Sequence, residues 1–135
     1  MKKILLTTIV VVIAGFVLFS VGGALYYMDA MAAMAEAYPD AIKAEPDMTM
    51  ALLNMIVIAL FTTIALDRMG VADAVSGAKT GAWFMGLIFL TFNTQMLAMY
   101  NTMDLNFAML DTVISALMGA VLGAACGFAL GKFSN

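Results

Sequence analysis

Histidine is absent from this sequence, which removes most imidazole-based catalysis and the commonest metal ligand. The single cysteine, Cys126, excludes an internal disulfide and any paired-thiol redox or zinc motif. Set among Ala124, Ala125 and Gly127, it reads as a small packing residue. Charge is scarce as well: Asp, Glu, Lys and Arg together make up 11% of the chain. The six basic residues are scattered and form no patch for nucleic acid. A net charge of −3 says little about partners, because the acidic side chains concentrate toward one side. A phosphate-binding glycine loop, a paired-carboxylate helix motif, a nucleophile elbow and a metalloprotease signature are all missing. Catalysis would have to rest on Asp, Tyr, Lys or Ser, and none of these is arranged for it. The expectation is a protein without enzymatic activity or cofactor.

What is abundant is apolar surface. The chain is 64% hydrophobic, with a mean hydropathy of +1.03, and four uninterrupted apolar runs account for it: Ile4–Tyr27, Thr49–Leu66, Thr80–Tyr100 and Leu105–Leu130. About 20 apolar residues cross the ~30 Å of bilayer hydrocarbon. The reading is all-α: one domain over residues 1–135, an integral membrane antiparallel four-helix bundle. The first run is longer than the ~7–15 apolar residues of a secretory signal, so it is expected to be an uncleaved span. With the N-terminus inside, the cytoplasmic segments hold Lys2, Lys3, Arg68, Lys79 and Lys132, and the outer segments hold only Lys43. The positive-inside bias therefore favours both ends in the cytoplasm. After the first span, Asp29–Tyr38 is rich in helix formers and stops at Pro39, which predicts an extension of the first helix or a short helix on the outer interface. Pro39–Asp47 then forms a turn, and Asp47 or Thr49 caps the second span.

The last span carries a small or polar residue at every fourth position: Asp111, Ser115, Gly119, Gly123, Gly127 and Gly131. Small residues let membrane helices approach closely, so Ser115, Gly119, Gly123 and Gly127 read as a helix-packing face. A step of four overshoots the helical repeat by roughly 40°. On a straight helix the stripe therefore offers more contact than one neighbour can use, and the surplus predicts a second helix or subunit. Polar groups lie at a similar depth in the outer half: Ser20, Asn54, Asn93 with Gln95, and Asp111. A buried charge costs about 2.5–3.5 kcal/mol on insertion scales, and Asn54 or Asn93 is expected to satisfy Asp111. The same layer has a second reading, as a polar cavity for an ion or small solute. Methionines also crowd the outer half, and Met28, Met31 and Met34 fall within two helical turns. Thioethers suit Cu(I), but methionine is equally a flexible apolar filler.

The pattern Gly77-x3-Gly81-x-Trp83-x2-Gly86, followed by Asn93, Tyr100, Leu110-Asp111 and Met118-Gly119-Ala120, resembles a bacterial membrane family. That family is known only as domain of unknown function 1761. Gly15-Phe16 and Tyr26-Tyr27 echo its first helix, although the family has a tryptophan-tyrosine pair followed by Gly-Pro where this chain has Tyr26-Tyr27-Met28-Asp29. The resemblance implies a four-helix fold in a bacterial inner membrane, no known activity, and Asn93 and Asp111 as the polar positions to carry over. Two functions stand side by side. One is a structural or interaction subunit, a homo-oligomer or a partner in a membrane complex, joined through the small-residue face. The other is a small-solute or ion module, including a Cu(I) version, with its site near the outer leaflet.

Overall fold

The computed structural model describes residues 1–43 and 45–134, and no strand occurs among them. The helices are α1 (Lys2–Gly22), a π-helical turn (Gly23–Tyr27), α2 (Met28–Ala37), α3 (Met48–Arg68), α4 (Ala74–Met99) and α5 (Leu105–Lys132). Four helical stretches are long and apolar enough to cross a membrane: Lys2–Ala37, Met48–Arg68, Ala74–Met99 and Leu105–Lys132. That is the architecture of a multi-pass membrane protein.

The first of these runs past the Tyr27 boundary and decides between the two expected forms in favour of an extension of the first helix. No separate outer helix follows a span ending at Tyr27; α1, the π turn and α2 form one 36-residue rod. The alanine- and methionine-rich segment after Tyr27 holds no helix breaker before Pro39, so nothing stops propagation. At 1.5 Å per residue the rod is roughly 50 Å long, well beyond ~30 Å of hydrocarbon. None of the residues of α2 is buried. The turn expected over Pro39–Asp47 is described apart from residue 44, which lies outside the described residues.

Aspartates start three helices. Asp47 accepts from the Thr49 and Met50 amides, Asp73 from those of Val75 and Ser76, and Asp104 from that of Phe107. Each satisfies amides that the first helical turn leaves without partners. The end of α3 is equally specific. Gly70, at φ 77°, is the one residue with positive φ among those described. Its amide bonds Asp67 O and the Val71 amide bonds Leu66 O, which together make a Schellman stop. Leu66 and Val71 then meet in the core with Val11, Leu122, Cys126 and Leu130.

Helix α5 is the most enclosed of the four spans. Helix α1 lies on α3 and α5, α4 lies chiefly on α5, and α3 also touches α4 and α5. Between α1 and α3 the partners run in opposite sequence order. Lys3 Nζ lies 2.6 Å from an Asp67 carboxylate oxygen, and a Cβ on Gly15 would meet Met55 at 3.8 Å. Steps of four on both helices put Thr7 level with Thr63 and Val11 level with Ala59. The opposite order also holds between α4 and α5. A Cβ on Gly77 would overlap the Gly123 carbonyl, one on Gly81 the Gly119 carbonyl, and one on Gly127 the Asp73 carbonyl.

The stripe on α5 meets two neighbours inside the chain, so its surplus needs no second subunit: Asp111 reaches Tyr27 of the first helix, and the glycines serve α4 and the turn before it. Gly119 and Gly123 face α4, while Gly127 and Gly131 face Asp73 and Ala72 in the turn leading into it. A row of i, i+4 positions is inclined to the helix axis, and two such rows laid together stay in contact as the helices cross. The row, rather than a line parallel to the axis, is what meets the neighbour. The glycines are used up inside the chain.

Candidate functional site

The polar centre of the molecule joins three helical segments. The π turn brings Tyr27 inward, and its hydroxyl donates to Asp111 Oδ1 at 2.6 Å. From α4, Asn93 Nδ2 donates to Asp111 Oδ2 at 2.8 Å. The same amide nitrogen lies 3.1 Å from Ala108 O and 3.0 Å from Thr112 Oγ1, while the Thr112 hydroxyl donates to Ala108 O. Three acceptors around one NH2 group fix which way the amide is turned. Asn93 is 1% exposed and Asp111 7% exposed. Asn93 Oδ1 is buried without a hydrogen-bond partner among the described residues, and leaving such an acceptor unmade costs about 1–3 kcal/mol. The Ser115 side chain, one turn along α5 from Asp111, lines the same cleft as Tyr27.

Beside this chain of hydrogen bonds lies a cleft of about 200 Å³. Phe19, Gly23 and Tyr27 wall it on one side, Met85 and Phe89 on the other, and Asp111, Ser115, Met118 and Leu122 form its floor. The cleft exists because the backbones of α1 and α4 stay apart among the described residues, leaving side chains to line the space between them. Since α3 occupies the other sector around α5, the gap between α1 and α4 opens sideways, toward lipid if the helices span a membrane.

The sequence-selected residues divide accordingly. Asn93 and Asp111 come together, and Ser115 joins them at the cleft floor as well as lying on the packing stripe. Ser20 is exposed and bonds the Phe16 carbonyl of its own helix. Asn54 is exposed on α3. Gln95 is exposed, with Met99 Sδ 4.0 Å away on its own helix. Of these three only Gln95, two residues beyond Asn93, lies near the depth of Asp111; Ser20 sits about 10 Å before Tyr27 along its own helix, and Asn54 lies level with Gly15 and Leu122, roughly 15 Å from Asp111 along the bundle, so the expected common polar layer does not form. Met28 and Met31 are exposed, and only Met34 sits against a shallow groove with Tyr38, Met103 and Phe107. Tyr27 is the functional candidate that the spacing of polar residues did not select. Its signal was a phenol at the end of an apolar run, level with Asp111.

A second polar group lies nearer the chain termini. Thr7, Thr63 and Cys126 are fully enclosed, with Cys126 Sγ 4.0 Å from Thr63 Oγ1. Thr7 Oγ1 has no partner among the described residues. These groups lie where α1, α3 and α5 meet.

No family model matches the chain, and no curated protein or solved structure matches it. The likeness drawn from Gly77, Gly81, Trp83 and Asp111 thus has no family match behind it. The functional argument rests on the site itself.

Proposed function

We propose that the protein is a small binding module of a bacterial inner membrane, non-enzymatic, whose site is the cleft beside Asp111. In this reading the four spans form an antiparallel bundle with both ends in the cytoplasm, as the placement of five of the six basic residues favours. The Tyr27–Asp111–Asn93 cluster then lies in the outer half of the bilayer. One observation carries the reading: a nearly buried carboxylate, held by two donors, forms part of the wall of an otherwise apolar cleft. Intramembrane ionisable groups of this kind mark binding or transport sites. A pocket of apolar walls with a few convergent polar groups is the usual form of a small-molecule site.

The interaction-subunit reading drew its support from surplus contact surface on α5. The turn before α4 and α4 itself occupy that surface, so the reading keeps no observation of its own. The Cu(I) version is weakened by the exposure of Met28 and Met31.

Native mass spectrometry of the protein released gently from its membrane tests the proposal. A small molecule should accompany the wild type and be absent from Gly23→Phe. Gly23 lines the cleft and a Cβ on it meets nothing within 4 Å, so this substitution should place its ring in the cleft, with circular dichroism and thermal unfolding checking that the fold is kept. Identical bare monomers for both proteins would remove the binding reading, and a defined oligomer with an empty cleft would restore the interaction reading.

A further inference from the structure

Asp111 is a buried carboxylate without a counter-ion. Among the described residues the one ion pair joins Lys3 to Asp67, far along the bundle from Asp111. The remaining basic side chains sit elsewhere: Lys2 and Lys132 at the chain ends, Arg68 at the end of α3, Lys79 in the second turn of α4, and Lys43 in the loop. A carboxylate offers about four lone-pair sites. Here Oδ1 receives one donor, from Tyr27, and Oδ2 one, from Asn93. Each oxygen keeps acceptor capacity, Asp111 lines the cleft through a small polar opening in an apolar wall, and charges at membrane depth are stabilised by pairing.

The walls decide what kind of cation fits. Phe19, Met85, Phe89, Met118 and Leu122 are apolar, and the only side-chain oxygens on the lining belong to Tyr27, Asp111 and Ser115. A hard metal cation takes about 6–8 oxygen ligands, or keeps its waters, and this lining supplies neither the ligands nor a wet surface. An organic anion would meet the Asp111 carboxylate. An amphiphile with a donor-rich positive end and an apolar body matches both parts of the cleft, and aromatic walls further favour an organic cation. A volume of about 200 Å³ is below the roughly 300–1,000 Å³ of sites that enclose drug-sized ligands. The cleft therefore houses the head and first part of the body, with the rest lying in the open gap between α1 and α4.

We propose that the cleft takes a lipophilic organic amine as its ammonium ion, entering sideways from the bilayer between α1 and α4 and placing its N–H groups on Asp111. This inference rests on the binding reading above and specifies its ligand class. Tyr27 and Asn93 act as positioning residues that hold the carboxylate still, and Phe19 and Phe89 flank the entry.

The test measures calorimetric binding of three probes of one shape, 4-phenylbutylammonium, 4-phenylbutanol and 4-phenylbutyrate, to the protein in lipid nanodiscs, with protein-free nanodiscs as background. The wild type should favour the ammonium probe over the alcohol by about tenfold or more, as a charge-assisted hydrogen bond implies, and bind the carboxylate least. Asp111→Asn should erase the discrimination, and Gly23→Phe should abolish binding of all three. Equal binding of amine and alcohol by the wild type, still blocked by Gly23→Phe, would overturn the amine assignment and leave the binding site standing. Binding of no probe, or binding unaffected by Gly23→Phe, would overturn both. Discrimination by the wild type alone decides the ligand class even if Asp111→Asn fails to fold.

Discussion

Tyr27 and Asp111 lie 84 residues apart in sequence and 2.6 Å apart between phenol oxygen and carboxylate oxygen. The contact ties the π turn of the first helix to the middle of the bundle, and π turns recur at functional positions in helices. Tyr27→Phe deletes the donor and keeps the ring. The expected loss is about 1–2 kcal/mol, between the ~0.6 kcal/mol average for membrane hydrogen bonds and the ~1.5–3 kcal/mol of bonds to charged groups. Reversible unfolding in mixed micelles reads this directly. In a double-mutant cycle with Asp111→Asn the two losses should be non-additive; strict additivity would show that the phenol and the carboxylate do not cooperate.

The glycines of α4 and α5 predict a sharp division among apparently similar substitutions. A Cβ on Gly81 would lie 2.8 Å from Gly123 Cα and inside the Gly119 carbonyl. Only backbone could move to make room, so Gly81→Ala should destabilise the monomer by about 1–3 kcal/mol or more. Gly22→Ala adds a methyl whose one neighbour is Met118 Cε at 4.0 Å, and should raise stability by up to about 1 kcal/mol through helix propensity. Gly123→Leu should disrupt the fold of a single chain rather than only its association. Equal stability of Gly81→Ala and wild type would refute the close α4–α5 contact.

Asp73 predicts an acid limb. Hydrogen bonds from the Ser76 amide and hydroxyl, then from the Val75 amide, hold its carboxyl below the usual aspartate value. A depressed folded-state pKa contributes stability that is fully present above the unfolded value, near ~3.9, and fades as pH falls through the folded value. Asn also caps helices well. Asp73→Asn should therefore unfold like the wild type at neutral pH and lose less stability below pH ~4. Thermal unfolding in detergent across that range checks this, and parallel acid limbs would show that Asp73 contributes nothing to pH dependence.

Much of the fold is legible in residue order, and part of the site. Two of the four apolar runs mark their helices within two residues, while the first helix continues ten residues past its run and α4 begins six before its own; Asn93 with Asp111 could be paired from depth alone. Depth does not specify a face, however: Gln95 lies near the right level but is exposed elsewhere, and Asn54 is both exposed and off level, beside Gly15 and Leu122 rather than Asp111. Tyr27 escaped for a geometric reason. A π turn adds a residue to the 3.6 repeat, so counting forward from Val11 and Gly15 misplaces the ring by about one residue, or roughly 100°. The stripe on α5 was read against a straight axis, whereas inclined rows on crossing helices keep Gly119 and Gly123 against one neighbour. The apolar run ends at Tyr27, but the helix need not, because no residue before Pro39 obliges it to stop there; composition leaves extension and a separate outer helix both open.

The tight glycine pairing of α4 with α5 also bears on how the protein is made. The pair that approaches most closely is the last to leave the ribosome, so α1 and α3 enter the bilayer before the helix on which both rest. Until α5 arrives, Thr7 and Thr63 have only each other's helix for shelter, and Tyr27 has no acceptor on α5. Closure of the bundle is thus a C-terminal event. A chain cut short before Leu105 should remain a loose set of inserted helices, open to quality-control proteolysis, and restoring α5 as a separate segment should rescue it.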